Sequence, residues 1–142
     1  MTEEKTVNRN QKTVGAEATI RDVEDLIVYR KAYAISLEVH RISLEMPRHE
    51  QFALADQMRR ASKGICANLA EGFGKQSFSK QEFKRYIAMA MGSADEMRVW
   101  SNYCKDLGYI PEAKANAWRK EYQDIAKMLT GLHQKWGLNT DS

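Results

Sequence analysis

The sequence predicts an all-α protein, folded as an up-down-up-down antiparallel four-helix bundle, and three observations carry that expectation. Four segments repeat apolar residues at steps of three and four, the spacing of one helical face. Short stretches at Pro47, at Gly72 to Gly74 and at Gly108 to Pro111 punctuate them, and connections that short make consecutive helices antiparallel neighbours. Only 2 Pro and 8 Gly occur in 142 residues, too few for the turns of a β-sandwich, while 43% hydrophobic against 29% charged residues excludes a disordered chain. The length suits one domain. Residues 1–22 carry Thr, Asn, Gln, Gly and balanced charge without an apolar period. The expected division is therefore a mobile polar tail over 1–22, the bundle over 23–137 and a short tail over 138–142.

The first segment, about 23–45, carries two apolar stripes. Leu26, Tyr29, Tyr33, Leu37, His40 and Leu44 form one face, while Val28, Ala32, Ile35, Val39, Ile42 and Met46 lie nearly opposite. A helix in a monomeric bundle needs one such stripe. The first is expected to face the core. The second, with Val28, Ile35, Val39 and Ile42, is expected to form an oligomer interface, because an uncovered strip of Val, Ile and Met is an aggregation liability and the polar tail is a poor cover.

In the second segment, about 50–71, the core stripe is Leu54, Met58, Ala61, Ile65 and Leu69, and Gly72 reads as the glycine that stops the helix. The third opens on Ser79-Lys80-Gln81-Glu82, a capping box, and continues with Phe83, Ile87, Ala90, Ala94, Met97 and Cys104. Within it, Gly92 is expected to let two helices approach closely. Pro111, suited to a first helical turn, opens the fourth, where Trp118, Tyr122, Ile125, Leu129, Leu132 and Trp136 repeat at four-three spacing.

Several chemistries find no residues to carry them. A di-iron bundle needs Glu-x-x-His pairs, but the positions three before His40, His49 and His133 hold Leu37, Met46 and Thr130. His40 instead reads as a hydrogen-bonded core or interface histidine. Cys66 and Cys104 lie on or beside apolar stripes and form no C-x-x-C pair, which reads as two small buried hydrophobes. Gly72-Phe73-Gly74-Lys75 lacks the phosphate-loop pattern. The expectation is a protein that is not an enzyme, with no catalytic set, no metal and no cofactor. No apolar run approaches the ~18 residues of a membrane span, and Met1 to Arg21 lacks the apolar stretch of a secretory signal, so a cytoplasmic protein without a membrane partner is expected.

Charge is more informative. The net figure is +3, yet residues 59–85 hold Arg59, Arg60, Lys63, Lys75, Lys80, Lys84 and Arg85 against only Glu71 and Glu82, a local +5 offset by −2 elsewhere. Phe73 and Phe78 stand between the lysines. Cations for phosphates beside a ring for a base are the chemistry of sequence-tolerant RNA or single-strand binding. The alternative is a solvated basic corner whose phenylalanines cap the core. Several copies in one ring would add their patches to a common field, which favours a polyanion. Asn68, Glu71, Ser93 and Glu96 are polar at the edge of apolar stripes. They read as structural, with Asn68 and Ser93 cross-bonding the second and third helices and Arg59, Arg60 or Lys31 neutralising Glu71 or Glu96.

Ordered blocks over about 25–110 carry a resemblance. They are Asp25-Leu26-Ile27-Val28 with Lys31-Ala32, Gln57-Met58-Arg59-Arg60-Ala61-Ser62 through Ile65 and Asn68, and Ala70-Glu71-Gly72-Phe73-Gly74. Phe83, Tyr86-Ile87, Ala90, Gly92-Ser93, Glu96 and Leu107-Gly108-Tyr109-Ile110 complete them. The chain thereby resembles the small four-helix-bundle proteins first named from open reading frames within intervening sequences of large-subunit ribosomal RNA genes. That family is also similar to the accessory variability proteins of diversity-generating retroelements. The resemblance implies a homopentameric ring with a basic surface and no intrinsic catalysis. For a retroelement member it implies binding to a reverse transcriptase and to RNA or an RNA/DNA hybrid in support of cDNA synthesis. Arg59, Arg60, Asn68, Glu71 and Gly72 match the family motif and carry over as structural or binding residues. The leading expectation is a non-enzymatic, nucleic-acid-binding oligomer accessory to a reverse transcriptase. The alternative is a protein-interaction adaptor ring encoded in a ribosomal RNA intervening sequence, with little or no direct contact with nucleic acid.

Overall fold

A computed structural model describes residues 20–139, with side chains as far as Trp136; the tail expectations for 1–19 and 140–142 lie outside the described residues. Four helices run in order, α1 (Ile27–Ser43), α2 (Leu54–Lys75), α3 (Lys80–Asp106) and α4 (Glu112–Asn139), and the described residues contain no strand. Each helix packs on its sequence neighbour and α4 returns to α1, so α1 and α3 are diagonal partners across an antiparallel bundle. The body begins ahead of Val23. Ile20 packs against the core, and Asp22 and Asp25 form a capping box over the 3-10 turn Val23–Asp25. At the other end, the helix runs on through residues 138 and 139.

Three of the four predicted stripes are the core. Met58, Ile65 and Leu69 of α2, Phe83, Ile87, Met97 and Cys104 of α3, and Tyr122, Ile125 and Leu129 of α4 have no exposed surface. Such burial is the main favourable term in folding, about 1.5–3 kcal/mol for a large apolar side chain. The Tyr122 hydroxyl and the Trp118 indole N–H are carried inside without an acceptor among the described residues.

From Tyr33 onward the two stripes of α1 exchange roles, while Leu26 and Tyr29 at its start keep to the core as expected. Val28, Ala32, Ile35 and Val39, with Met46 beyond the helix, are buried in the chain's own core, and Ile42 packs partly against it. They do not form an outward interface. Tyr33, Leu37 and Leu44, expected inside, are 50%, 40% and 58% exposed. The reason is polar content. Tyr29, Tyr33 and His40 would each need a buried hydrogen-bond partner if that side turned inward, whereas the polar groups of the Val, Ala and Ile side, the Ser36 and Ser43 hydroxyls, are answered within α1 by the Tyr33 and His40 carbonyls.

At the α2–α3 seam two glycines of α2 face close neighbours, and the glycines depart from expectation. A Cβ on Gly72 would stand 2.6 Å from the Tyr86 Cβ and 3.0 Å from Phe83 Cδ1, so Gly72 is a helix-crossing residue and not a stop; α2 continues to Lys75. Gly64 plays a similar part against the Ser93 hydroxyl, 3.0 Å from its would-be Cβ, while Gly92 faces open space. The glycine that ends a helix is Gly108, at φ +82°, where Tyr109 N–H reaches back to the Cys104 carbonyl at 2.8 Å. Ser79 caps α3 by accepting the Glu82 N–H at 3.2 Å. The α1–α4 seam is held differently, by the ion pairs Lys31–Glu121 (3.1 Å) and Lys114–Glu38. At the α1–α2 and α3–α4 loops, the Tyr109 hydroxyl donates to Glu50 at 2.7 Å and holds that carboxyl below its ordinary value.

Candidate nucleic-acid interface

The seven basic residues do not share one corner. Arg59 and Lys75 stand 16 positions apart on one helix, about 24 Å at 1.5 Å per residue, so α2 carries a cationic group at each end.

At the α2–α3 end, the turn after Lys75 presents Phe78, which is 86% exposed, with Lys80, Lys84 and Arg85 on the opening turns of α3. Lys75, at the last position of α2, and Lys84 are half-buried, while Lys80 and Arg85 are exposed. Arg85 pairs with Glu82 at 3.1 Å and lies 4.8 Å over the Tyr86 ring, an arrangement that holds the guanidinium flat on the helix surface. The Tyr86 hydroxyl donates to Glu71 at 3.2 Å. Phe73, the other ring expected to stand between the lysines, turns inward. It meets Phe83 edge-on at 5.9 Å, and Phe83 meets Trp136 edge-on at 4.8 Å, closing the core at this end. One ring, Phe78, is left for solvent. Lys135 of α4 lines the same end with Gln76, Phe73 and Leu132. Sequence reasoning missed it because α4 is remote in the chain, and only the antiparallel return brings it here.

At the α1–α2 end, Arg59 is a tie. Its guanidinium donates to Ser43 Oγ (2.9 Å), to Gln51 Oε1 (3.2 Å) and to the Gln51 carbonyl (2.7 Å), binding α2 to the end of α1 and the intervening loop. Arg59, expected to bind nucleic acid, has a structural role at this seam. Arg60, 75% exposed along its side chain, lies 4.0 Å from Asp56. Lys63 Nζ sits 2.9 Å from His40 Nδ1. Lys63, the neighbouring desolvation and Arg59 together push His40 below its ordinary pKa, so at neutral pH the ring is uncharged and accepts from Lys63. No core role for His40 survives; its ring is half-buried at the surface seam.

Asn68, Glu71 and Ser93 make structural contacts by other routes than the expected ones. Asn68 donates to the Gly64 carbonyl at 2.8 Å instead of crossing to Ser93, and Ser93 fits over Gly64. Glu71 is answered by Tyr86, while Lys31 pairs with Glu121. Glu96 lies exposed on the outer face of α3. Both cysteines are buried free thiols, each pushed up to about 11 by desolvation, and Cys104 packs on the Met58 sulfur at 3.3 Å. Among the described residues, no group of three or more His, Cys, Asp or Glu is placed to hold a metal ion, and no helix is long and apolar enough to cross a membrane.

The geometry defines a small four-helix-bundle protein with cationic surface at both ends of one helix. Within that class the assignment is specific. The family model for the 23S rRNA-intervening sequence protein matches residues 24–131, spanning α1 to α3 and most of α4, and the chain belongs to that family. No curated protein matches the sequence.

Proposed function

We propose that the protein is a non-catalytic scaffold that holds single-stranded RNA or an RNA/DNA hybrid against its α2–α3 end, beside a reverse transcriptase that uses the strand as template. The observation that carries this reading is Phe78. A phenylalanine 86% exposed at the tip of a turn wastes its burial energy in a lone protein, and it lies in the turn between Lys75 and Lys80, at the end of the bundle that also bears Lys84 on α3 and Lys135 on α4. A ring that stacks on a base, amid ammonium groups that neutralise adjacent phosphates, binds a strand with little regard to sequence. Replacing Lys75, Lys80, Lys84 and Lys135 together with Gln is expected to weaken binding to a single-stranded RNA and to flatten the slope of log affinity against log salt by about 0.7 for each phosphate no longer neutralised. Arg59 is left in place because it ties the fold. Unchanged RNA retention by this folded variant, in fluorescence anisotropy across a salt series, would overturn the assignment.

A second reading, of a self-assembling adaptor ring that organises a partner polypeptide, is favoured by the bundle's outer faces. Tyr33, Leu37 and Leu44 stand out from α1, and Met89, Val99 and Tyr103 stand out from the diagonal helix α3, 44%, 47% and 53% exposed. Two different apolar faces on opposite sides of one molecule suit head-to-tail contacts between copies, the arrangement that closes into rings. Tyr33→Glu with Leu37→Glu is expected to give smaller species by light scattering while leaving the helical content intact. An unchanged mass for an assembled wild-type protein would remove α1 from the interface.

A further inference from the structure

The α1–α2 end gathers positive charge without an answering carboxylate. Arg59, half-buried, directs its three hydrogen bonds to neutral oxygens of Ser43 and Gln51. Lys63 meets the His40 ring at 2.9 Å, and Arg41, the next residue on α1, is exposed and adds a third cation that acts on that ring. Three of the acidic groups on the surrounding elements are occupied elsewhere. On α2, Asp56 faces Arg60; on the α4 side of α1, Glu38 pairs with Lys114; in the loop, Glu50 takes the Tyr109 hydroxyl and the Leu54 N–H. Glu45 stands exposed in the turn beyond α1. Arg59, fixed by its three hydrogen bonds, and Lys63, held at the His40 ring, meet no carboxylate; such cations attract an oxyanion, and the neutral imidazole beside them supplies a further, conditional charge.

We propose that His40, Lys63 and Arg41, backed by the fixed guanidinium of Arg59, form an oxyanion site at the α1–α2 seam that takes one phosphate group, and that His40 gains a proton as the phosphate binds. Lys63 Nζ then turns from the ring to the phosphate, and the imidazolium donates to a second phosphate oxygen. The sign follows from linkage. In the free protein the neighbouring cations disfavour the imidazolium; a bound phosphate offsets them and favours it. Affinity therefore rises as pH falls from the His40 midpoint of the complex toward that of the free protein, by up to tenfold for each pH unit between the two, and levels off below. As a contact for a nucleic-acid backbone the site rests on the function proposed above; as a site for a phosphate group it stands without it.

The test follows the His40 imidazole by NMR through a pH titration of the full chain, with His49 and His133 as internal references and His40→Gln to assign the signal. The probes are inorganic phosphate and a short single-stranded RNA without a terminal phosphate. The expected result is a His40 midpoint raised by about 1 pH unit by the probe that binds, with the other two histidines little changed and the rise abolished in Lys63→Gln. A response to RNA alone identifies a backbone phosphodiester as the ligand. If inorganic phosphate responds and RNA does not bind, the oxyanion site stands while the nucleic-acid function falls. RNA that binds with a steep salt dependence yet leaves His40 unmoved, together with no response to inorganic phosphate, overturns this inference and leaves the nucleic-acid reading intact.

Discussion

Phe83→Ala is expected to lower the stability of the bundle by about 3–5 kcal/mol, the range for truncating a fully buried aromatic side chain. Phe83 has no exposed surface and sits edge-on to both Phe73 and Trp136, so it links α2, α3 and α4 where the core closes. Its removal forfeits the transferred apolar area and both edge-on ring pairs, and opens a void that the surrounding helices fill only in part. Trp136 stands near the end of α4, and its last turns lose their main anchor with the ring. Thermal unfolding followed by circular dichroism should show a fall of roughly 10–17 °C for a chain of this size. A loss below about 1 kcal/mol would mean that the aromatic layer does not seal this end of the core.

Two glycine-to-alanine replacements should move stability in opposite directions. Alanine is intrinsically better than glycine in a helix by about 1 kcal/mol. Gly92 faces open space on an exposed surface of α3, so Gly92→Ala should realise much of that gain. Gly72→Ala meets the Tyr86 Cβ at 2.6 Å, and a Cβ cannot rotate away because it is fixed to the backbone. The helices must separate, and the strain of overpacking, about 1–3 kcal/mol, outweighs the propensity gain. Urea unfolding of both variants checks the pair; a Gly72→Ala protein as stable as the original would show that the α2–α3 seam yields freely.

Both glycines illustrate what the sequence could and could not reveal. Apolar periodicity placed four helices and the inward stripes of α2, α3 and α4, because spacing along a helix is a local property. Which glycine stops a helix and which lets two helices cross depends on the facing helix, and the chain order does not display Tyr86 against Gly72. The same limit divided the basic cluster. Seven cations within 27 residues look like one patch on paper, but a 22-residue helix carries Arg59 and Lys75 to opposite ends. It also hid Lys135 and His40, which join the two ends of that helix only through the antiparallel return of α4 and the packing of α1. Phe73 and Phe78 looked alike in the sequence, as two rings that either stack on a base or cap the core; the fold divides them, leaving Phe78 exposed and packing Phe73 against the core.

The exchange of stripes on α1 has a consequence for the folding landscape. A helix with two apolar sides can be rolled about its own axis and still bury hydrophobic surface, so the sequence supports a competing arrangement close in energy to the native one. The gap between them rests largely on polar atoms of Tyr29, Tyr33 and His40, which the rolled state would have to bury without partners. Tyr33 and His40 contribute little to the native core, and Tyr29 only partly. Their work is to make the wrong rotation of α1 unfavourable, and a chain with phenylalanine at both tyrosine positions would fold into a shallower, less decided minimum.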